Sequence, residues 1–169
     1  AAVALAPAPQ TFINRGLAHS ALGNHPAAVD DFTRALIMDP SSAAAYNNRA
    51  DGLIALARLD EALNDRLTAQ RLAPTDLRIL NQLGTDLIAL GDWDGAAVNF
   101  DEAIRLDRTD PEAYNNRGNV YLYRDLPVWA IADFSNAIRL DPDFAQAYAN
   151  LGVAHHNNGD YANALAQYA

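Results

Sequence analysis

The sequence predicts an all-α solenoid of antiparallel helix pairs, and three observations predict it. Residue types recur at a constant stride of 34 positions. Each stride divides into two stretches with helical periodicity. No stretch alternates apolar and polar residues as a half-buried strand would. A unit of that length cannot bury its apolar face alone, so neighbouring copies must stack.

The recurrence is visible residue by residue. Tyr46-Asn47-Asn48-Arg49-Ala50 returns as Tyr114-Asn115-Asn116-Arg117-Gly118. Between them lies Leu80-Asn81-Gln82-Leu83-Gly84, and outside them Phe12-Ile13-Asn14-Arg15-Gly16 and Tyr148-Ala149-Asn150-Leu151-Gly152. The small residue of each copy faces two further columns. One is Ala28, Ala62, Ala96, Ala130 and Ala164. The other is Phe32, Arg66, Phe100, Phe134 and Tyr168, with Arg66 the exception. Ala35, Ala69, Ala103 and Ala137 form one more column, and Pro40, Pro74 and Pro142 close their units. Arg108 stands at that place in the third unit, and Pro111 opens the next.

The elements follow in order. Residues 1–8 read as the tail of a preceding unit or a linker, because Ala2 to Pro7 parallels Ala69 to Pro74. The units then fall at 9–42, 43–76, 77–110, 111–144 and, incomplete, 145–169, about four and a half in all. In each, a first helix places apolar or small residues at helical spacing, as in Tyr114, Gly118, Tyr121 and Leu122. A turn follows: Gly23-Asn24, Gly91-Asp92, Asp125-Leu126-Pro127 or Gly159-Asp160. Glycine tolerates the left-handed residue that ends a helix, Asn or Asp caps the next, and proline suits a first turn. The second helix repeats the spacing with Ala130, Ile131, Phe134, Ala137 and Ile138. Helices of about 12–14 residues joined by a short turn make an αα-hairpin.

These columns resemble the tetratricopeptide repeat (TPR) family from about residue 9 to the end. The family's packing residues match at Gly118, Tyr121, Ala130, Phe134, Ala137 and Pro142 and at their equivalents. The resemblance implies a right-handed superhelical solenoid whose first helices line a concave face. It implies a scaffold or adaptor that binds a peptide or protein segment in that concave groove.

Composition narrows the function. The chain has 169 residues and a formal net charge of −9. That acidity repels phosphate backbones and favours a partner with a basic surface over nucleic acid. There is no cysteine, which removes disulfides, thiol catalysis and cysteine-ligated metals. Every basic residue among the 12 is Arg, so no Schiff-base or phosphate-loop lysine exists. No apolar run approaches the roughly 18–20 residues of a transmembrane helix. Ser20, Ser41, Ser42 and Ser135 lie outside any nucleophile-elbow pattern. His155 and His156 are adjacent rather than spaced for one metal. The sequence therefore predicts no enzyme, no cofactor and no metal.

The candidate partner-binding residues lie on the first helices. Asn14, Asn48, Gln82, Asn116 and Asn150 form one column, with Asn47, Asn81 and Asn115 beside it. Asp51, Thr85 and Asn119 lie a turn further on. A carboxamide is both donor and acceptor, so such a ladder can bind an extended backbone without reading its sequence; the asparagine ladders of some TPR proteins resemble it. The alternative is that the amides solvate the groove or pair with neighbouring helices. The family's carboxylate clamp is not matched. Its positions hold Ile13, Leu17, Asn48, Arg78 and Gln82, and in the next window Glu112 would repel a carboxylate. Tyr123 and Trp129 are candidate exposed anchors.

A last column mixes charge and neutrality. Arg15, Arg49 and Arg117 stand where Leu83 and Leu151 stand in other units. Sixteen residues later the Arg units carry Asp31, Asp65 and Asp133, and the Leu units Asn99 and Gln167. The pattern predicts structural ion pairs between the two helices of a unit; the alternative is arginines reaching a ligand carboxylate. Two other functions compete with the scaffold: an oligomerisation module that stacks on copies of itself, and an accessory TPR segment of a larger enzyme.

Overall fold

The structure is a computed structural model that describes residues 8–167. Residues 1–7 of the expected tail at 1–8 and the aromatic column's Tyr168 lie outside the described residues. Ten helices and no strand occur among those described. They run α1 (Pro9–Ala21), α2 (His25–Met38), α3 (Ala43–Ala55), α4 (Leu59–Leu72), α5 (Leu77–Ala89), α6 (Trp93–Leu106), α7 (Pro111–Tyr123), α8 (Pro127–Leu140), α9 (Ala145–Asn157) and α10 (Tyr161–Ala166). First helices have 13 residues and complete second helices 14, as the periodicity predicts. The fold class is the expected one, all-α and built of antiparallel helix pairs.

The helix ends explain the stride. At each turn inside a hairpin one residue takes positive φ: Gly23, Ala57, Gly91, Asp125 and Gly159, spaced 34 apart. Its amide and the next one reach back to carbonyls of the last helical turn. Gly23 donates to Ser20 and Asn24 to His19, and Asp125 donates to Leu122 and Leu126 to Tyr121. This double bond pattern stops the first helix. Second helices then begin on caps: the Asn24, Asp92 and Asp160 side chains accept from backbone amides of their first turns.

Two compact units divide the described chain, one up to Ile79 and the other from Leu80. In the first, α1 packs on α2, α3 on α4, and α2 on α3. Its core joins Ile13, Ala28, Phe32, Ala35, Leu36 and Ala45. In the second, α7 packs on α8, α6 on α7, and α8 on α9. Its cores gather Ala96, Phe100 and Val120, then Ala130, Phe134, Leu151 and Ala154.

Close approach within a hairpin depends on a missing side chain. A β-carbon at Gly16 would sit 2.7 Å from the Phe32 ring, at Gly84 2.5 Å from Phe100, and at Gly118 2.6 Å from Phe134. Where the aromatic is replaced by Arg66, the small residue is Ala50 instead of glycine. Arg66 is nonetheless fully buried, and its charge has to be met inside the hairpin.

Candidate functional site

Arg66 draws its partners from α3. Its Nη1 donates to the Asn47 side-chain oxygen at 2.8 Å and to the Asn47 carbonyl at 3.1 Å. Its Nη2 donates to Asp51 Oδ1 at 2.8 Å. Asn47 is 0% exposed. The expectation that Asn47 meets a partner is therefore corrected: it is enclosed and serves the buried guanidinium. Asp51 keeps an exposed edge but belongs to the same network.

The other amides divide in the same way. Asn48 is buried and accepts from Arg78 Nη1 at 3.3 Å, so the two candidates engage each other. Asn14 is exposed on α1 and accepts from Gln10. In the second unit Asn115 is buried, a second correction. Its oxygen accepts from Asn150 Nδ2 at 2.9 Å, which joins α7 to α9. Asn81 donates to Asp110 at 2.8 Å and is half-buried, as are Gln82 and Asn116. Thr85 is exposed, its hydroxyl turned back to the Asn81 carbonyl. Glu112 is exposed in the first turn of α7. Asn47, Asn48 and Asn115 are buried, and their side-chain oxygens accept from Arg66, Arg78 and Asn150, so these acceptors serve neighbouring side chains.

In the second unit a cavity of about 350 Å³ opens between α7 and α9. Asn119, Leu122, Tyr123, Asn150, Val153 and Asn157 line it. The side-chain amides of Asn119 and Asn157 form no hydrogen bond to another described residue. Tyr123 is 62% exposed and its ring stacks on Trp93 at 4.4 Å, which holds it upright at the cavity's edge. Trp129 is similarly exposed but lies 6.2 Å from Tyr121, away from the cavity lining. Asn157 was not among the expected residues. Asn157 falls one stride after Tyr123, in a column that otherwise holds alanine.

The Arg–Asp column is engaged internally. Arg15 holds Asp31 through two bonds of 2.6 and 2.5 Å, Arg49 holds Asp65 at 2.6 and 2.8 Å, and Arg117 holds Asp133 at 2.8 and 2.7 Å. Each forked pair ties the first helix of a hairpin to the second. Arg49 also reaches Thr33, and Arg117 reaches Asp101, each on the preceding hairpin. The three guanidinium groups lie over Phe12, Tyr46 and Tyr114 at 5.4, 5.6 and 5.8 Å. The Arg15 bonds hold Asp31 below the usual carboxylate range, and the Asp133 bond keeps Arg117 charged despite partial burial. Among the described residues, no group of three His, Asp or Glu side chains stands where it could hold a metal ion. None of the described helices is long and apolar enough to cross a membrane.

Comparison with known proteins adds to this geometry. One family model described as "TPR repeat" matches residues 84–122 and 130–159, and two described as "Tetratricopeptide repeat" match 111–144 and 13–76. No curated protein sequence matches the chain. Solved structures share the fold. MamA from Desulfovibrio magneticus RS-1 superposes with a TM-score of 0.87 at 16% identity, over 98% of this chain and 93% of that one. YrrB, described as a TPR protein with an unusual peptide-binding site, gives 0.77 at 24% identity, over 92% and 80%. A thermophilic TPR protein of Thermus thermophilus gives 0.75 at 26% identity, over 95% and 88%.

Proposed function

Because the chain belongs to the tetratricopeptide repeat family, we propose that it is an interaction scaffold that holds an extended peptide or protein segment along the exposed faces of its first helices. The hold does not use a carboxylate clamp. The observation that carries this reading is the pair of unengaged amides, Asn119 and Asn157, beside an apolar floor of Leu122 and Val153. Amides meet a backbone's amide and carbonyl groups, and the floor takes a side chain. Each such hydrogen bond contributes about 0.5–1.5 kcal/mol net, so several act together. YrrB's described peptide site supports the reading by analogy of fold. A partner with a basic surface fits the acidity, and assembly into a larger protein complex fits the family.

Clamp chemistry is disfavoured by residues already engaged. Arg78 is the cation at the matching position, and it faces Asn48. Glu112 stands exposed one unit on. A capped or uncapped C-terminal peptide should therefore bind alike.

Affinity capture with quantitative mass spectrometry tests the proposal, comparing the natural chain with an Asn14→Ala, Asn116→Ala, Asn119→Ala triple variant. The reading expects loss of specific partners from the variant at unchanged fold by circular dichroism. Recovery of the same proteins in the same amounts would show that these faces are not the contact.

A further inference from the structure

Charge is divided unevenly along the chain. Residues 80–169 carry 13 acidic residues and five arginines, whereas residues 1–79 carry eight and seven. The second unit thus holds nearly all the net negative charge. Its arginines are largely spoken for: Arg117 by Asp133 and Asp101, Arg124 by Asp94, Arg105 by Glu102. The acids also bracket the two helices that line the 350 Å³ cavity. Asp110 and Asp125 flank α7 and Glu112 sits in its first turn, while Asp141, Asp143 and Asp160 flank α9. Within the cavity itself no lining residue is charged.

We infer that this cavity seats one apolar side chain of a basic peptide segment, whose flanking Arg or Lys residues face the acids at the ends of α7 and α9. The inference rests on the proposed peptide-binding role and specifies its occupant. A neutral, partly apolar pocket rejects a charged side chain, because desolvating the charge there has no compensating partner. Leu122, Val153 and the Tyr123 ring give an aliphatic or aromatic side chain a surface to cover. The free Asn119 and Asn157 amides take the segment's backbone on either side of that anchor. The surrounding carboxylates raise the local concentration of a cationic segment and fix its placement more than its affinity. The first unit, with almost balanced charge, offers no such field.

The probe is a phage-displayed library of short random peptides selected on the full chain. Enriched peptides are then synthesised with both termini capped and measured by fluorescence anisotropy at low and moderate salt. Two variants carry the same charge change: Val153→Arg inside the cavity and Ile37→Arg on the outside of the first unit, where Ile37 is 76% exposed. Asn157→Arg, on an exposed position at the cavity's edge, is a second probe of the same place. The inference expects basic peptides with a central apolar residue. It expects a loss of about tenfold or more with Val153→Arg and Asn157→Arg, and about twofold or less with Ile37→Arg. Replacing the peptide's central residue by Ala should cost a similar factor. Acidic or neutral peptides that still depend on Val153 would overturn the inference and leave the groove reading standing. Basic peptides indifferent to Val153 and Asn157, or equally weakened by all three variants, would overturn both. So would a selection that enriches no sequence.

Discussion

The Phe134 ring occupies the space that a β-carbon on Gly118 would need, with its edge 2.6 Å from that position. Helix propensity alone says that Gly118→Ala stabilises by about 1 kcal/mol. The clash says that it destabilises by about 1–3 kcal/mol, because the ring is fully buried and has nowhere to move. The expected net result in urea unfolding is a loss of up to about 2 kcal/mol, and a gain would contradict the packing account. The Ala50 and Arg66 pair is the same relationship with the ring removed. Arg66→Phe should be strongly destabilising alone and partly rescued by Ala50→Gly.

The Arg117 and Asp133 pair is the second target. The Asp133 side chain is nearly enclosed, so Arg117→Leu strands a buried carboxylate. Unfolding should show a loss of about 3 kcal/mol. Leu83 opposite Asn99 shows the neutral form of the same column. Arg117→Leu combined with Asp133→Asn should therefore recover most of the loss. A double-mutant cycle with no coupling energy would remove the pair from the account.

Ala57 takes φ 58° at the turn where three other hairpins have glycine. A β-carbon there costs about 1–2 kcal/mol, offset by glycine's greater freedom when unfolded. Ala57→Gly should raise stability by about 0.5–1 kcal/mol and leave partner binding unchanged. Loss of stability in thermal unfolding would mean the turn is not held as described.

Acid should weaken the fold through carboxylates held below their ordinary value. Arg15 lowers Asp31, and the hydroxyls of Ser41 and Thr109 lower Asp39 and Asp107. A depressed folded value means the unfolded chain takes up protons first. The stabilisation is complete above the ordinary value of 3.8 and disappears as pH falls through the folded values. The melting temperature should hold steady from neutrality to about pH 5 and fall below about pH 4. Ser41→Ala should make the Asp39 contribution smaller at neutral pH and so flatten the decline slightly.

The sequence carries the fold because packing by close approach requires a small residue, glycine or alanine, at every stride. Gly16, Gly84 and Gly118 opposite Phe32, Phe100 and Phe134 announce it without any structure. The site was only partly legible. Periodicity places Asn47 and Asn115 on the same helices as Asn119, but it does not say which amides a neighbour has taken. Arg66 was visible as the exception in its column, yet its claim on Asn47 and Asp51 depends on where a long side chain turns inside the hairpin. The column of Asn157 otherwise holds alanine and Tyr123, so no repeated amide marks that position.

Backbone amide chemical shifts of the isotope-labelled chain, followed while a selected peptide is added, test the functional account most directly. The account predicts that the largest changes fall on Asn116, Asn119 and Tyr123 of α7 and on Asn150, Val153 and Asn157 of α9. Changes concentrated on the outward residues of the second helices, such as Val98 of α6 or Val128 of α8, would contradict it.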